Sequence, residues 1–212
     1  MEKKKRTFIY PLFERFWHWS QAALIILLGL SGFEIHGSYR LFGFGNAVNI
    51  HNTAAIALLI LVAFTIFWHF VTGQWKQYVP TTKKLGAVIR YYAIGIFKHE
   101  PHPVRRTRYA KLNPLQKLVY LGFKLLIFPI LATTGLLYMF SNQLGIPISP
   151  VAFLHVLGAF VLLSFFIVHL YIVLTTGRTP LAHLKPMITG WEELEEEEES
   201  AAPKPAPEPS SD

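Results

Sequence analysis

The chain has 212 residues, 52% of them hydrophobic and only 16% charged, a balance that favours an integral membrane protein over a soluble domain. It contains no cysteine, which excludes iron–sulfur clusters held by thiolates, c-type haem attachment and disulfides. The net charge of +7 is uneven: seven of the thirteen acidic residues fall in residues 192–199, so the remainder is strongly basic, and in a membrane protein such a surplus marks cytoplasmic loops rather than nucleic-acid binding.

The N-terminus carries Lys3, Lys4, Lys5 and Arg6 without a convincing cleavage site after the next apolar stretch, and reads as a retained cytoplasmic end. A first span is predicted over residues 16–35. An aromatic belt with Arg15 and His18 stands at its start, and Gly29 and Gly32 allow close approach of a helix or a flat cofactor. A loop with one basic residue, Arg40, leads to a second span over residues 50–72, with His51 at its start and His69 near its end. The connection that follows, residues 73–111, holds nine basic residues. Within it, residues 85–97 have the spacing of a helix lying along the membrane surface. The third span covers residues 118–140, with a kink expected at Pro129. The next loop has no lysine or arginine. Residues 151–174 form the fourth span, twenty-four residues without a formal charge, enough to cross about 30 Å of hydrocarbon. Residues 1–190 therefore read as one membrane domain, and the Glu, Pro and Ala-rich residues 191–212 as a disordered tail.

The fold class is thus all-α, a four-helix transmembrane bundle. The basic residues crowd the two ends of the chain and the second-to-third connection, which places both termini in the cytoplasm. His155 and His169 interrupt the fourth span fourteen residues apart, about 21 Å along a helix and close to the same face. Imidazoles at such depth are functional candidates by default. His51 lies level with His155 on the outer side, and His18 level with His169 on the inner side. Two imidazoles at one depth fit the two faces of a porphyrin. Zinc competes, but no carboxylate or thiol lies at these depths to complete a tetrahedral site. Haem b fits the missing cysteines and the apolar walls, with Gly158 one turn beyond His155 as a further point of close approach. His69 is the rival to His18. It lies eighteen residues from His51, about 27 Å against about 21 Å on the partner helix, so it reads as an interfacial histidine beside Trp68 and Phe70. His36, His99, His102 and His183 fall outside the spans and read as solvated or structural.

Taken together, these residues resemble the cytochrome b gamma subunit of membrane-bound respiratory formate dehydrogenases, within a wider group of b-type cytochromes of nickel–iron hydrogenases and thiosulfate reductases. The resemblance runs over residues 10–190. It is carried by Arg15, His18 and Trp19, by Ser31-Gly32, by Ile50-His51, by Lys111, Asn113, Gln116 and Lys117, by His155 with Gly158, and by His169-Leu170-Tyr171. It implies two haem b groups, with His18 and His169 on the inner iron and His51 and His155 on the outer iron. It also implies a cytoplasmic-side quinone pocket (menaquinone or ubiquinone) at Asn113, Gln116 and His169. Where the family often has glycine this chain has Leu115. Asn113 before Pro114 also has a plain structural reading, as a helix N-cap. Arg15 and Arg178 are candidates for the haem propionates, with lipid phosphate as the alternative.

The expected function is electron transfer in a prokaryotic inner membrane. The chain would anchor a complex and pass electrons between an extracytoplasmic partner and the quinone pool, without being its substrate-catalytic subunit. The partner would be an iron–sulfur subunit or a multihaem cytochrome with an extracytoplasmic catalytic subunit. The alternatives are the cytochrome b subunit of a hydrogenase or of a thiosulfate or polysulfide reductase and, in other classes, a zinc-binding protein, a transporter or a purely structural anchor.

Overall fold

A computed structural model describes residues 4–98, 100–104, 110–176, 179 and 181–195. A short strand β1 (Lys4–Phe8) leads into helix α1 (Leu12–Ile35) and helix α2 (Phe44–Val71). After a 3₁₀ turn at Gln74–Tyr78 comes the amphipathic α3 (Leu85–Ala93), whose Val88 is fully buried. Helix α4 (Pro114–Met139), helix α5 (Ile148–Thr175), a short α6 (Leu184–Thr189) and strand β2 (Trp191–Glu195) complete the chain. Helices α1, α2, α4 and α5 are each long and apolar enough to cross a membrane. Few of their apolar side chains are buried, and many, Ile60, Phe64 and Phe153 among them, are exposed. Lipid solvates such groups as well as a protein core does, while the helices satisfy their own backbone hydrogen bonds.

All four spans begin ahead of the predicted apolar run, and at α4 and α2 local hydrogen bonds start the helix. At α4 the start is a capping box. Asn113 Oδ1 accepts the Gln116 N–H at 2.8 Å, Gln116 Oε1 accepts the Asn113 N–H at 3.0 Å, and Pro114 occupies the first helical position. At α2 the start is closed from α1. The buried Glu34 carboxylate accepts the N–H groups of Leu41, Phe42 and Gly43 at 2.7–2.9 Å, and Gly43 supplies the positive φ of 82° that the turn requires. Pro129 has no N–H to offer Leu125. The chain answers with a π-helical turn at Phe123–Ile127 just before it rather than with a bare kink.

The bundle is two hairpins, α1 with α2 and α4 with α5, each packed within itself. Gly158 shows how closely the second is packed: a Cβ there would stand 3.0 Å from Leu131 Cδ2. Between the hairpins runs a cavity of about 2780 Å³, lined by apolar side chains of all four spans.

The first and last described segments meet at one end of the bundle, hereafter the near end; the opposite end is the far end. Strands β1 and β2 pair antiparallel with Phe8 opposite Trp191 and Arg6 opposite Glu193. The Arg6 guanidinium lies 5.2 Å from the Trp191 ring centre. Arg15 Nη1 donates to the Ile188 carbonyl at 2.6 Å and Trp19 Nε1 to that of Met187 at 2.9 Å, so α1 grips α6. Residues 191–195 are therefore paired strand, where the composition pointed to the start of a disordered tail; the basic β1 is the partner that composition alone does not reveal. Residues 196–212 lie outside the described residues.

Candidate cofactor sites between the hairpins

Each hairpin sends one imidazole to each of two meeting points. At the near end His18 of α1 faces His169 of α5 with ring centres 6.4 Å apart; at the far end His51 of α2 faces His155 of α5 at 6.2 Å. An imidazole nitrogen binds a metal at about 2.0–2.1 Å, and its ring centre lies about 1.1 Å further away. Two rings on opposite sides of one metal ion therefore stand about 6.2 Å apart, which both pairs match. No group of three His, Asp or Glu side chains converges among the described residues. The donor set is thus two imidazoles at each point, which would suit a haem and not a tetrahedral zinc site.

Hydrogen bonds set the tautomers at the far pair. Ser31 Oγ donates to the Leu27 carbonyl at 2.6 Å and lies 3.1 Å from His51 Nδ1. Its one proton is taken, so it accepts from Nδ1–H, and His51 keeps a lone pair on Nε2. Thr134 repeats this on the other hairpin: Oγ1 donates to Ile130 at 2.6 Å and lies 3.0 Å from His155 Nδ1. The neighbouring glycines make room for the rings. A Cβ at Gly32 would stand 3.3 Å from His51 Cε1, and one at Gly135 would stand 3.3 Å from His155 Cε1. Orienting a ligand imidazole through its second nitrogen is what a metal site requires.

The near pair is built differently. Phe165 stacks on His169 with ring centres 5.8 Å apart and planes 18° apart. Around His18, three buried polar atoms have no hydrogen-bond partner among the described residues: Arg15 Nε, Trp17 Nε1 and His18 Nδ1. Orphaned donors at this density are costly unless a further group satisfies them. Arg15 Nε and Trp17 Nε1 are N–H donors that would suit the carboxylates of a haem.

His69 is committed elsewhere. Its Nδ1 meets the Thr65 carbonyl at 2.7 Å and its Nε2 the Tyr78 hydroxyl at 3.3 Å, with the Trp17 ring edge-on at 5.5 Å. Tyr78 lies outside the spans, and burial with the nearby Glu14 carboxylate raises its pKa, so it stays a neutral donor to His69.

Asn113 and Gln116 line the cavity, but their carbonyl oxygens close the capping box, and Asn113 Nδ2 donates to the Tyr92 hydroxyl at 3.2 Å. The side-chain N–H₂ of Gln116 makes no hydrogen bond among the described residues. Arg15 divides its guanidinium between Ile188 and the orphaned Nε. Arg178 lies outside the described residues. Of the glycines expected to admit a flat cofactor, Gly29 opens on the cavity, Gly32 abuts His51 and Gly158 abuts Leu131. Sequence reasoning missed Thr134 and Gly135, and passed over Lys124, whose side chain lines the cavity. A signal for the first two was present, because a hydroxyl residue followed by glycine precedes a histidine by twenty residues at Ser31-Gly32 and by twenty-one at Thr134-Gly135.

A membrane-spanning bundle whose two hairpins present paired imidazoles across an apolar cavity is the architecture of a b-type cytochrome, a membrane electron-transfer protein. The comparison with known families agrees: residues 9–190 match the prokaryotic cytochrome b561 family, to which the chain belongs. It is similar to "Putative cytochrome YdhU" of Escherichia coli (strain K12), with 30% identity over 198 residues that cover 88% of this chain and 75% of that protein. No solved structure matches significantly.

Proposed function

We propose that the chain holds two haem b groups, one between His18 and His169 and one between His51 and His155, and carries electrons across the membrane between an extracytoplasmic partner and quinone. The observation that carries this is the pair of 6.2–6.4 Å imidazole spacings, each bridging the two hairpins. Haem iron supplies one-electron exchange when bound. The protein's own part is to fix both imidazoles of each pair, to hold the Nδ1 protons of His51 and His155 on Ser31 and Thr134, and to exclude water with the apolar cavity wall. Along α5 the fourteen residues from His155 to His169 correspond to about 21 Å, so the two sites stand in the two halves of the bilayer.

The rest follows from the resemblance and the basic-residue pattern. The near end, with both termini and the basic connection, is cytoplasmic. The partner is an iron–sulfur subunit or multihaem cytochrome joined to an extracytoplasmic catalytic subunit of the formate dehydrogenase kind. Quinone, menaquinone or ubiquinone, binds at the near end beside His169, Asn113 and Gln116, with the Gln116 N–H₂ as donor to a quinone oxygen. Arg15 serves a haem propionate through Nε.

Pyridine haemochrome analysis of the purified chain tests the reading. The expected protohaem-to-protein ratio is near two; His18→Ala reduces it to near one, and His69→Ala leaves it unchanged. A ratio near zero in the parent overturns the reading, and two haems retained in His18→Ala overturns the near pair.

A further inference from the structure

Lys124 is a cation inside a membrane span, in the π-helical turn of α4, and its side chain lines the cavity. Its Nζ sits 3.2 Å from the Tyr78 ring centre and 5.7 Å from that of Trp17. Aromatic faces attract a cation without neutralising it, and a charge at this depth calls for a counter-charge. Among the described residues no carboxylate pairs with it. Of the carboxylates outside β2, Glu14 is taken by Lys111 at 2.8 and 2.9 Å, Glu34 by backbone N–H groups at the far end, and Glu100 by Arg90 at 3.4 Å, while Glu192 and Glu193 in β2 have partners of their own. The indole N–H of Trp17, whose ring Lys124 Nζ approaches to 5.7 Å, is buried and makes no hydrogen bond among the described residues. Trp17 directly precedes His18 in α1. A charged donor and a neutral donor thus stand close together, one residue along α1 from His18, and neither makes a hydrogen bond among the described residues.

We propose that Lys124 and the indole N–H of Trp17 receive a carboxylate of the haem that stands between His18 and His169. The inference rests on the two-haem reading above, and it adds a third spanning helix, α4, to the near site. Haem b carries two carboxylates, so Arg15 and the Lys124–Trp17 pair can each serve one. The π-helical turn is where α4 departs from regular geometry, a feature frequent at functional sites. As the counter-charge, Lys124 stabilises the reduced state of the near haem relative to the oxidised state, because reduction adds negative charge beside it.

The test is a potentiometric titration of the purified full-length chain, followed in the visible haem bands, with the near component assigned by its loss in His18→Ala. Lys124→Met is expected to lower the near midpoint potential by about 59 mV, a tenfold shift of a one-electron equilibrium, and to leave the far potential in place. Trp17→Phe lowers it less, and Lys124→Arg restores it. Loss of the near haem in Lys124→Met with retention in Lys124→Arg also supports the assignment. Two haems at parental potentials in both Lys124→Met and Trp17→Phe overturn it. A parental haem ratio of one that His18→Ala does not change overturns the near pair itself, and this assignment with it.

Discussion

Ser31 and Thr134 each give their single hydroxyl proton to a carbonyl one turn back and turn a lone pair toward an imidazole. That arrangement, with Gly32 and Gly135 beside it, leaves little freedom for either ring. A valine at either glycine places methyl groups where the ring now stands, since the Cβ alone comes to 3.3 Å of Cε1. Gly32→Val and Gly135→Val are therefore expected to lose the far haem and keep the near one, giving a protohaem ratio near one. Reduced-minus-oxidised spectra in the background of His18→Ala identify which component is lost. At this scale the four paired histidines were legible because a polar ring in hydrocarbon is conspicuous. Lys124 was equally conspicuous as a charge within a span, but its counterparts Trp17 and Tyr78 come from distant parts of the chain. The hydroxyl–glycine pairs were hidden because serine, threonine and glycine are also ordinary helix-packing residues in membranes.

At the scale of elements, the beginning of α4 joins two roles in two side chains. Asn113 is a helix cap, and its replacement by alanine costs about 1 kcal/mol of local stability whatever else it touches. Gln116 separates the roles. Gln116→Glu keeps a capping-box acceptor at the third position but removes the N–H₂ donor. If quinone is held there, that variant slows electron exchange with quinone with both haems bound, while Asn113→Asp, which preserves the cap acceptor, changes it less. Stopped-flow reoxidation by a quinone analogue checks this; equal rates in parent and Gln116→Glu move the head group away from α4. The spans themselves could be read from hydropathy, since a run of apolar residues long enough for the bilayer has few other uses. Their starting points could not, because caps and polar first turns precede the apolar run. The strands also escaped notice: β1 and β2 carry no alternation of apolar and polar residues, and they are brought together by ends of the chain more than 180 residues apart.

Across the whole molecule, the two hairpins face each other over the cavity, and the paired strands tie the first hairpin to the end of the second. The architecture places Ser38, between α1 and α2, at the end opposite Lys84, just ahead of α3. The absence of cysteine makes the chain a clean background for topology mapping. With the near end in the cytoplasm, an impermeant maleimide applied to intact cells labels Ser38→Cys and spares Lys84→Cys until the membrane is opened. The reverse pattern inverts the orientation and with it the side on which quinone and partner protein are met. The basic-residue count supports the first outcome, but it is a tendency of insertion and not a packing force.

The pairing of β1 with β2 also has a consequence in time. The ribosome makes β1 before the four spans and β2 after them, so this sheet can close only once all four spans have been made. Arg6, Trp191, Glu192 and Glu193 line the cavity at that end. Until β2 is made, that rim of the cavity therefore lacks one of its two strands. Closing the sheet then latches the first-made hairpin to the last-made one, which makes it a late checkpoint of assembly.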